Sequence, residues 1–450
     1  MRAESPGRYW NALPLDAAAQ IRTAPGYVCM IPNENLHIAT VEKGSKGCSP
    51  MERPSPETGR KLRIGMLSYS FYESDARVAR YAETLARMGD HVDVVSIRRK
   101  GQEIYDNING VNVFRIQERE RNEKGKLSYL TRLLRFFVSS TGFVGKRHLK
   151  LPYDLIHVHS VPDFEVFATI LPKLLGAKII LDIHDIVPEF YASKFGGGRK
   201  SLLFKALVLM EKISAGFADH VIISNHIWEK ALVDRSVKRE KCSTILNYPD
   251  PSIFHLRPRT ESAGKIKMIY PGSLNWHQGV DIAIRAFHMI KDDVPEAEFH
   301  IYGTGGQRDA LVALVDELGL QKKVFIKPFL PLDRIVEVMA AADLGVVPKR
   351  NDPFGGEAFS TKILEFMSLG VPVLVSRTKI DTYYFNDSVV KFFTPEDVND
   401  LANSMRSMVK DRGMRKNLAE NALRFAEDFS WENRKREYLD IVDRLTRKIS

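Results

Sequence analysis

The sequence predicts an α/β fold with two parallel-sheet domains, and three observations predict it. Arg63–Ser68, a helical pattern closing at Gly89, and His91–Ile97 read as strand, helix, strand, the unit that builds a parallel sheet. A second start of the same kind appears at Lys267–Tyr270. Val371–Val375 is apolar on both faces, as a strand covered by helices on both sides must be. At 450 residues the chain is long enough for two domains with large cores.

Residues 1–60 carry weak periodicity and many Pro, Gly, Ser and charged residues, and are expected to form a poorly ordered extension. A small element packed on the first domain is the alternative. Met51 is a second candidate start, which would make residues 1–50 an artefact of gene prediction; N-terminal sequencing of the native protein separates the two. The first domain is expected over residues 61–255. Ser74 or Asp75 caps its first helix, which runs to Met88. Asp75 and Arg77 are candidates for the acceptor side of a cleft, although a plain cap and a solvated arginine explain them equally well.

Asn109–Ile116 reads as a hairpin-like strand. The stretch Arg115–Lys150 holds ten Lys or Arg against three Glu. Within it Leu127, Leu130, Leu134, Phe137 and Val138 recur at helical spacing. That apolar face is expected to pack on the domain's own sheet, while the surrounding charge suits an anionic membrane surface. Asp154–His159 is a buried strand on which His157 and His159 share a face. No carboxylate or Cys completes the pair in sequence, so no metal site is expected. Lys178–Ile183 is a strand whose C-terminal end carries His184 and Asp185, the position where open α/β sheets bind ligands. Gly196–Gly198 is expected to be a mobile loop over the cleft, and a helix over Leu202–Ala218 and a strand over His220–Ser224 follow.

Ser252–Lys265 reads as a linker, and the second domain is expected over residues 265–428. Its helices fall at Val280–Ile290, Gln307–Leu318 and Asp333–Ala341, its early strands at Glu298–Tyr302, Val324–Ile326 and Leu344–Val347. Gly303-x-Gly305 follows a strand and precedes a helix; alone it is a weak signal, because strand-to-helix turns need glycine anyway. Over residues 429–450, Ser430 caps a last helix with Tyr438, Leu439, Val442 and Leu445 as its apolar stripe.

Composition narrows the class. With 44% hydrophobic and 27% charged residues the chain is ordinary for a soluble globular protein. No uncharged apolar run approaches the roughly 18 residues of a spanning helix, and the N-terminus lacks the apolar core of a secretory signal. Cys29, Cys48 and Cys242 fit neither a disulfide framework nor a metal-ligand spacing, so a reducing cytoplasm is the simplest setting. The formal charge of +10 suits an anionic partner. Nucleic acid is not expected, because helix-turn-helix, RNA-binding and zinc patterns are all missing.

The chemistry concentrates in Asp352–Ser376. Gly355-Gly356 permits a tight turn, Ser360 or Thr361 is placed to cap a helix, and Gly370 with Pro372 ends it. Glu357 then lies in the loop and Glu365 about one turn inside the helix. Between them are the free amides of a helix N-terminus, a ready anion site. A nucleoside diphosphate sugar suits it, with phosphates on the amides, ribose hydroxyls on Glu365 and the sugar towards Glu357. From spacing alone, a loop Glu at the surface and a helix Glu paired with a neighbouring Lys fit equally well.

EAFSTKILE resembles the Glu-x7-Glu motif of the retaining glycosyltransferases of family four (group one), and FMSLGVPVLVS resembles its continuation. The similarity runs from about Lys61 to the end. It implies the GT-B fold, two Rossmann-like domains facing across a cleft with a last helix crossing back to the first. It implies transfer of a hexose-like sugar from a nucleoside diphosphate donor to a hydroxyl acceptor, free or lipid-linked, with retention and with no metal or cofactor. The setting implied is polysaccharide or glycolipid assembly at the cytoplasmic face of a membrane. Glu357 then contacts the donor sugar near the reacting carbon, Glu365 binds ribose, and His184 lies near a sugar or acceptor hydroxyl.

The chain departs from that pattern in the loop opening the second domain. Where the family presents an Arg after the first glycine and a Lys before a second, this sequence has Gly272-Ser273 and Gln278-Gly279. A departing diphosphate needs positive charge nearby. The nearest replacements are Lys349, Arg350 and Lys362; Lys362 sits in a first helical turn where a cation opposes the dipole, a placement that a neighbouring phosphate explains. A nucleotide-sugar epimerase on the same fold and a non-catalytic, membrane-associated binding subunit are the rival readings. The lost cations favour the binding subunit and the intact Glu pair opposes it.

Overall fold

The computed structural model describes residues 60–119, 126–195, 200–258 and 264–447. The expected N-terminal extension with Met51, the triple-glycine loop, the side chain of Leu127 and the middle of the linker lie outside the described residues.

The first domain opens as expected with β1 (Arg63–Ser68), α1 (Ala76–Arg87) and β2 (His91–Arg98). Asp75 caps α1 by accepting from the Val78 amide at 3.2 Å. A hairpin of β3 (Tyr105–Ile108) and β4 (Val111–Glu118) leads to α2 (Lys126–Lys150) and β5 (Leu155–Ser160). A 3-10 segment, Asp163–Thr169, runs into α3 (Ile170–Leu174). Then come β6 (Lys178–Ile183), α4 (Val187–Phe195), α5 (Leu202–Phe217), β7 (His220–Ile223), α6 (His226–Arg235) and β8 (Cys242–Thr244). The strands order as β3-β4-β2-β1-β5-β6-β7-β8, parallel except for the β3–β4 hairpin.

The second domain alternates strand and helix throughout. It comprises β9 (Ile266–Pro271), α7 (Val280–Ile290), β10 (Ala297–Tyr302), α8 (Arg308–Glu317), β11 (Val324–Lys327), α9 (Leu332–Ala340) and β12 (Leu344–Val347). It continues with α10 (Thr361–Ser368), β13 (Val373–Ser376), α11 (Lys379–Tyr384), β14 (Lys391–Phe393), α12 (Val398–Lys410) and α13 (Arg412–Asp428). The all-parallel order β11-β10-β9-β12-β13-β14 reverses direction between β9 and β12, which makes a crevice beyond their carboxyl ends.

The last helix, α14 (Trp431–Thr446), crosses back to the first domain. Trp431 Nε1 donates to Thr84 Oγ1 at 2.9 Å, the Tyr438 hydroxyl lies 3.1 Å from His157 Nδ1, and the Tyr438 and Tyr81 rings sit 4.2 Å apart. This is the two-domain GT-B arrangement the sequence led us to expect.

One packing expectation fails. On α2 the residues facing the sheet are Leu133, Phe136 and Val144, whereas Leu130, Leu134 and Val138 face outward and Phe137 is half-buried. The helix is apolar on two sides, so its periodicity fitted more than one phase, and the stripe chosen from sequence is largely the solvent one.

Candidate active site

A cavity of about 520 Å³ lies between the domains. Asp75, Arg77, His184 and Asp185 line it from the first domain, and Ala358, Phe359 and Thr361 from the second. The C-terminal end of β6 therefore faces the N-terminus of α10.

On the first-domain wall, His184 Nε2 lies 3.2 Å from Asp182 Oδ2. Asp182 is fully buried and accepts two bonds from Arg77, Nε to Oδ2 and Nη2 to Oδ1, each 2.8 Å. His159 Nδ1 approaches the same carboxylate at 3.3 Å and His157 Nε2 at 3.7 Å. Burial alone would raise the Asp182 pKa, but Arg77 and the histidines hold it well below the usual carboxylate range. Burial also opposes protonation of His184, yet the Asp182 carboxylate lifts its pKa above the ordinary histidine value. His157 is driven well the other way by burial. Asp182 is the carboxylate that completes the His157–His159 pair in space, correcting the sequence expectation that none does; ligand atoms of the three lie within 4.8 Å of one another. The Arg77 guanidinium already takes both carboxylate oxygens, so the set reads as a charge hub built around an arginine. Arg77 is accordingly neither solvated nor free: it also donates to the Ile245 carbonyl at 2.9 Å.

On the second-domain wall, Gly272 follows β9 with φ +149°, and an added Cβ would stand 2.4 Å from Lys362 Cε. Glycine here lets the lysine lie across the loop. Lys362 Nζ reaches Gln278 Oε1 at 3.4 Å and sits 5.5 Å from the Tyr270 ring centroid, and the Tyr270 hydroxyl donates to the Ser273 carbonyl at 2.7 Å. Lys362 thus lies beside both Ser273 and Gln278, the two positions where the resembled pattern has cations. Burial pulls its ammonium pKa down to about 8, against the raising effect of Glu365. Burial likewise raises the Glu365 pKa, opposed by Lys362, Thr361 and Arg80.

Residues 254–425 match the family model described as glycosyl transferases group 1, and residues 74–247 match a glycosyl transferase 4-like domain, so the two span most of both domains. The chain belongs to the group 1 glycosyltransferases. This group 1 chain is 27% identical over 379 residues to an uncharacterised glycosyltransferase of Methanocaldococcus jannaschii, covering 80% of this chain and 91% of the relative. Among solved structures, the sucrose-phosphate synthase from Thermosynechococcus elongatus is similar with TM-score 0.70 at 18% identity, covering 86% of this chain and 99% of that one. HepE of Anabaena, in complex with UDP-glucose, is similar with TM-score 0.64 at 18% identity, covering 85% and 99%.

The glycosyltransferase site departs from the sequence reading at several residues. Lys349 does not offer its charge: buried, it donates to the Ala358 carbonyl at 2.8 Å and pairs with Asp381 at 2.9 Å. Arg350 is held by Asp281, at 2.9 and 2.7 Å, and by the Trp276 carbonyl at 2.6 Å. Lys349 and Arg350 are thus each paired with a carboxylate, whereas Lys362 lies against the loop at Gln278. Gly303 and Gly305 have a packing reason, since a Cβ on them would stand 1.7 Å from the Gly272 carbonyl oxygen and 2.4 Å from that of Leu274. Ser360 takes the N-cap position of α10 without a side-chain cap; its Oγ is buried with no hydrogen-bond partner among the described residues. The Glu357 carboxylate pairs with Lys379 at 2.8 Å, while its backbone carbonyl accepts from Asn225 of the first domain at 3.2 Å.

Three residues were missed in the sequence. Asp182 had a signal, an acid inside the apolar run that follows Lys178 in the strand KIILDI. Arg80, buried and donating to the Tyr248 carbonyl, has its pKa lowered to about 10 by burial and Arg77, and acts on Glu365 from the first domain. Phe354 had none: it leaves the second domain to pack between Phe190 and Trp228 of the first, with ring centroids 5.0 and 5.6 Å away.

Proposed function

We propose that this glycosyltransferase moves a sugar from a nucleoside diphosphate sugar to a hydroxyl acceptor with retention at the anomeric carbon and no metal. The observation that carries the reading is Lys362 lying over Gly272 at the β9/β12 crevice, next to Thr361, which lines a cavity whose opposite wall bears His184. The diphosphate takes the α10 amides, the unpartnered Ser360 hydroxyl and the Lys362 ammonium. Glu365 takes the ribose, and Glu357 and His184 address the donor sugar and the incoming hydroxyl. The anomeric C–O bond breaks with its electrons passing to the β-phosphate oxygen, where Lys362 stabilises the charge. The acceptor oxygen bonds to the same face, and its proton passes to the departing phosphate. The likeness to HepE, solved in complex with UDP-glucose, and to a sucrose-phosphate synthase supports a uridine-type donor and a hydroxyl acceptor. Polysaccharide or glycolipid assembly at the inner face of a membrane is the setting we assign.

The test is a nucleotide-sugar panel read first by thermal stabilisation, then by product. A donor at 100 times its Kd adds about 2.7 kcal/mol to folding stability. The cognate donor should then yield, only with acceptor present, a product of unchanged anomeric configuration. Sugar epimerised without acceptor supports the epimerase instead, and stabilisation without any turnover on lipid extract or oligosaccharide supports the binding subunit.

A further inference from the structure

The outer surface of the first domain is apolar where a soluble protein's is ordinarily polar. On α2, Val138 is 68% exposed, and Leu130 and Leu134 face the same way. On α3, Leu174 is 79% exposed, beside Ile170. On α5, Leu202 is 85% exposed, and Leu209 and Ile213 follow it along the helix. The three helices are neighbours. Phe137 of α2 packs on Phe164 with centroids 5.8 Å apart, and Phe167 of the same 3-10 segment packs on Phe217 of α5 at 5.3 Å. A Cβ added at Gly145 of α2 would stand 3.3 Å from Leu171 of α3. All three cover one face of the sheet, sharing a core of Leu133, Phe136, Val166 and Ala215, so their outer sides form one surface. An apolar patch of this breadth marks an interaction site.

The charge on it selects the partner. Arg135, Lys146 and Lys150 of α2 and Lys205 and Lys212 of α5 are exposed among these leucines. α2 and α3 contain no Asp or Glu, and the one acid of α5, Glu211, is buried and paired with Arg235 at 2.6 Å. A second copy of this surface would oppose cation to cation. Apolar residues interleaved with cations and stripped of acids fit the boundary between head groups and acyl chains of an anionic bilayer. The surface also reaches the site. Tyr129, in the first turns of α2, lies 6.5 Å from Tyr69, and Arg119 sits over both rings; Tyr69 and Arg119 line the interdomain cavity.

We propose that the outer faces of α2, α3 and α5 dock the protein on an anionic lipid bilayer, with Leu174, Leu202 and Leu209 entering the head-group boundary and the cavity opening beside it. This names the partner of the reading above, and it stands or falls separately from sugar transfer. The test is co-sedimentation of the full chain with phosphatidylcholine vesicles, with and without phosphatidylglycerol. Binding is expected only to the anionic vesicles and should weaken as salt rises. The double variants Leu202→Glu/Leu209→Glu and Lys205→Glu/Lys212→Glu alter exposed positions, and each should lose at least about tenfold in vesicle affinity. Their thermal stabilisation by donor should match the wild type, which separates failure of docking from failure of the site. Equal binding to both vesicle types, undiminished binding by both variants, or a dimer that Leu202→Glu/Leu209→Glu dissolves would each overturn the proposal.

Discussion

Lys362 is the residue on which the donor site turns, because Lys349 and Arg350 are spent on Asp381 and Asp281. Its pKa, lowered to about 8, gives a pH dependence with a definite sign. Below that value the ammonium is charged and available to the diphosphate; as pH rises through it, the free protein loses the charge and donor binding must be accompanied by uptake of a proton from solvent. Donor affinity should therefore be full near pH 7 and decline above about 8. Lys362→Arg, which stays charged, should flatten the decline between pH 7 and 9.5, and an isothermal titration series that shows the same slope in both proteins removes Lys362 from the site. Glu357 makes a different prediction. Its side chain meets only the exposed Lys379 among the partners described, so Glu357→Ala should leave thermal stability within about 0.5 kcal/mol, as surface changes do. Turnover should nevertheless fall beyond detection, and wild-type-like rates would eliminate its assignment. Glu365→Ala, by contrast, should act mainly on the donor KM.

At the scale of elements, the loop between β12 and α10 belongs to one domain by chain and to both by packing. Phe354 is 6% exposed, in the core of the first domain, and Asn225 holds the Glu357 carbonyl three residues on. The first domain thus fixes where Glu357 stands. Phe354→Ala should lower kcat by as much as 10²-fold while leaving donor KM within a few-fold, because misplacement of a reacting group costs rate more than binding. Phe354→Leu should recover part of it. An equal rise in KM with kcat unchanged would show the loop to be a binding element only. This dual allegiance could not be read in the sequence, since one Phe in a polar loop carries no periodicity. What could be read were features with a local cause: β6 ends at Ile183 because the apolar run stops there, and α10 ends at Ser368 because Gly370, two residues on, takes a left-handed φ of +66°. Both Glu positions, the βαβ start and the last helix were legible for that reason. The phase of α2 and the fates of Lys349 and Arg350 depend on residues far away in sequence, and such partners leave no local mark.

At the scale of the whole molecule, several attachments among the described residues join the domains, three of them through large side chains. α14 starts in the second domain and buries Trp431 and Tyr438 against Tyr81 of the first; Phe354 enters the first-domain core; and the Tyr384 hydroxyl meets the His226 amide at 3.0 Å. A chain with only a covalent linker would unfold as two units, whereas these attachments put side chains of each domain into the stability of the other. Calorimetry should show one dominant endotherm. Trp431→Ala tests it, since the ring is 3% exposed and its Nε1 bonds Thr84, so the change should cost about 3–5 kcal/mol. If the domains are one cooperative unit, the whole transition moves down together, and donor at saturating concentration, which touches the second domain far from Trp431, restores part of the shift. If the variant instead splits the trace, with one peak displaced and the other unmoved, then α14 stabilises the first domain alone and the coupling between cleft and crossover helix is absent.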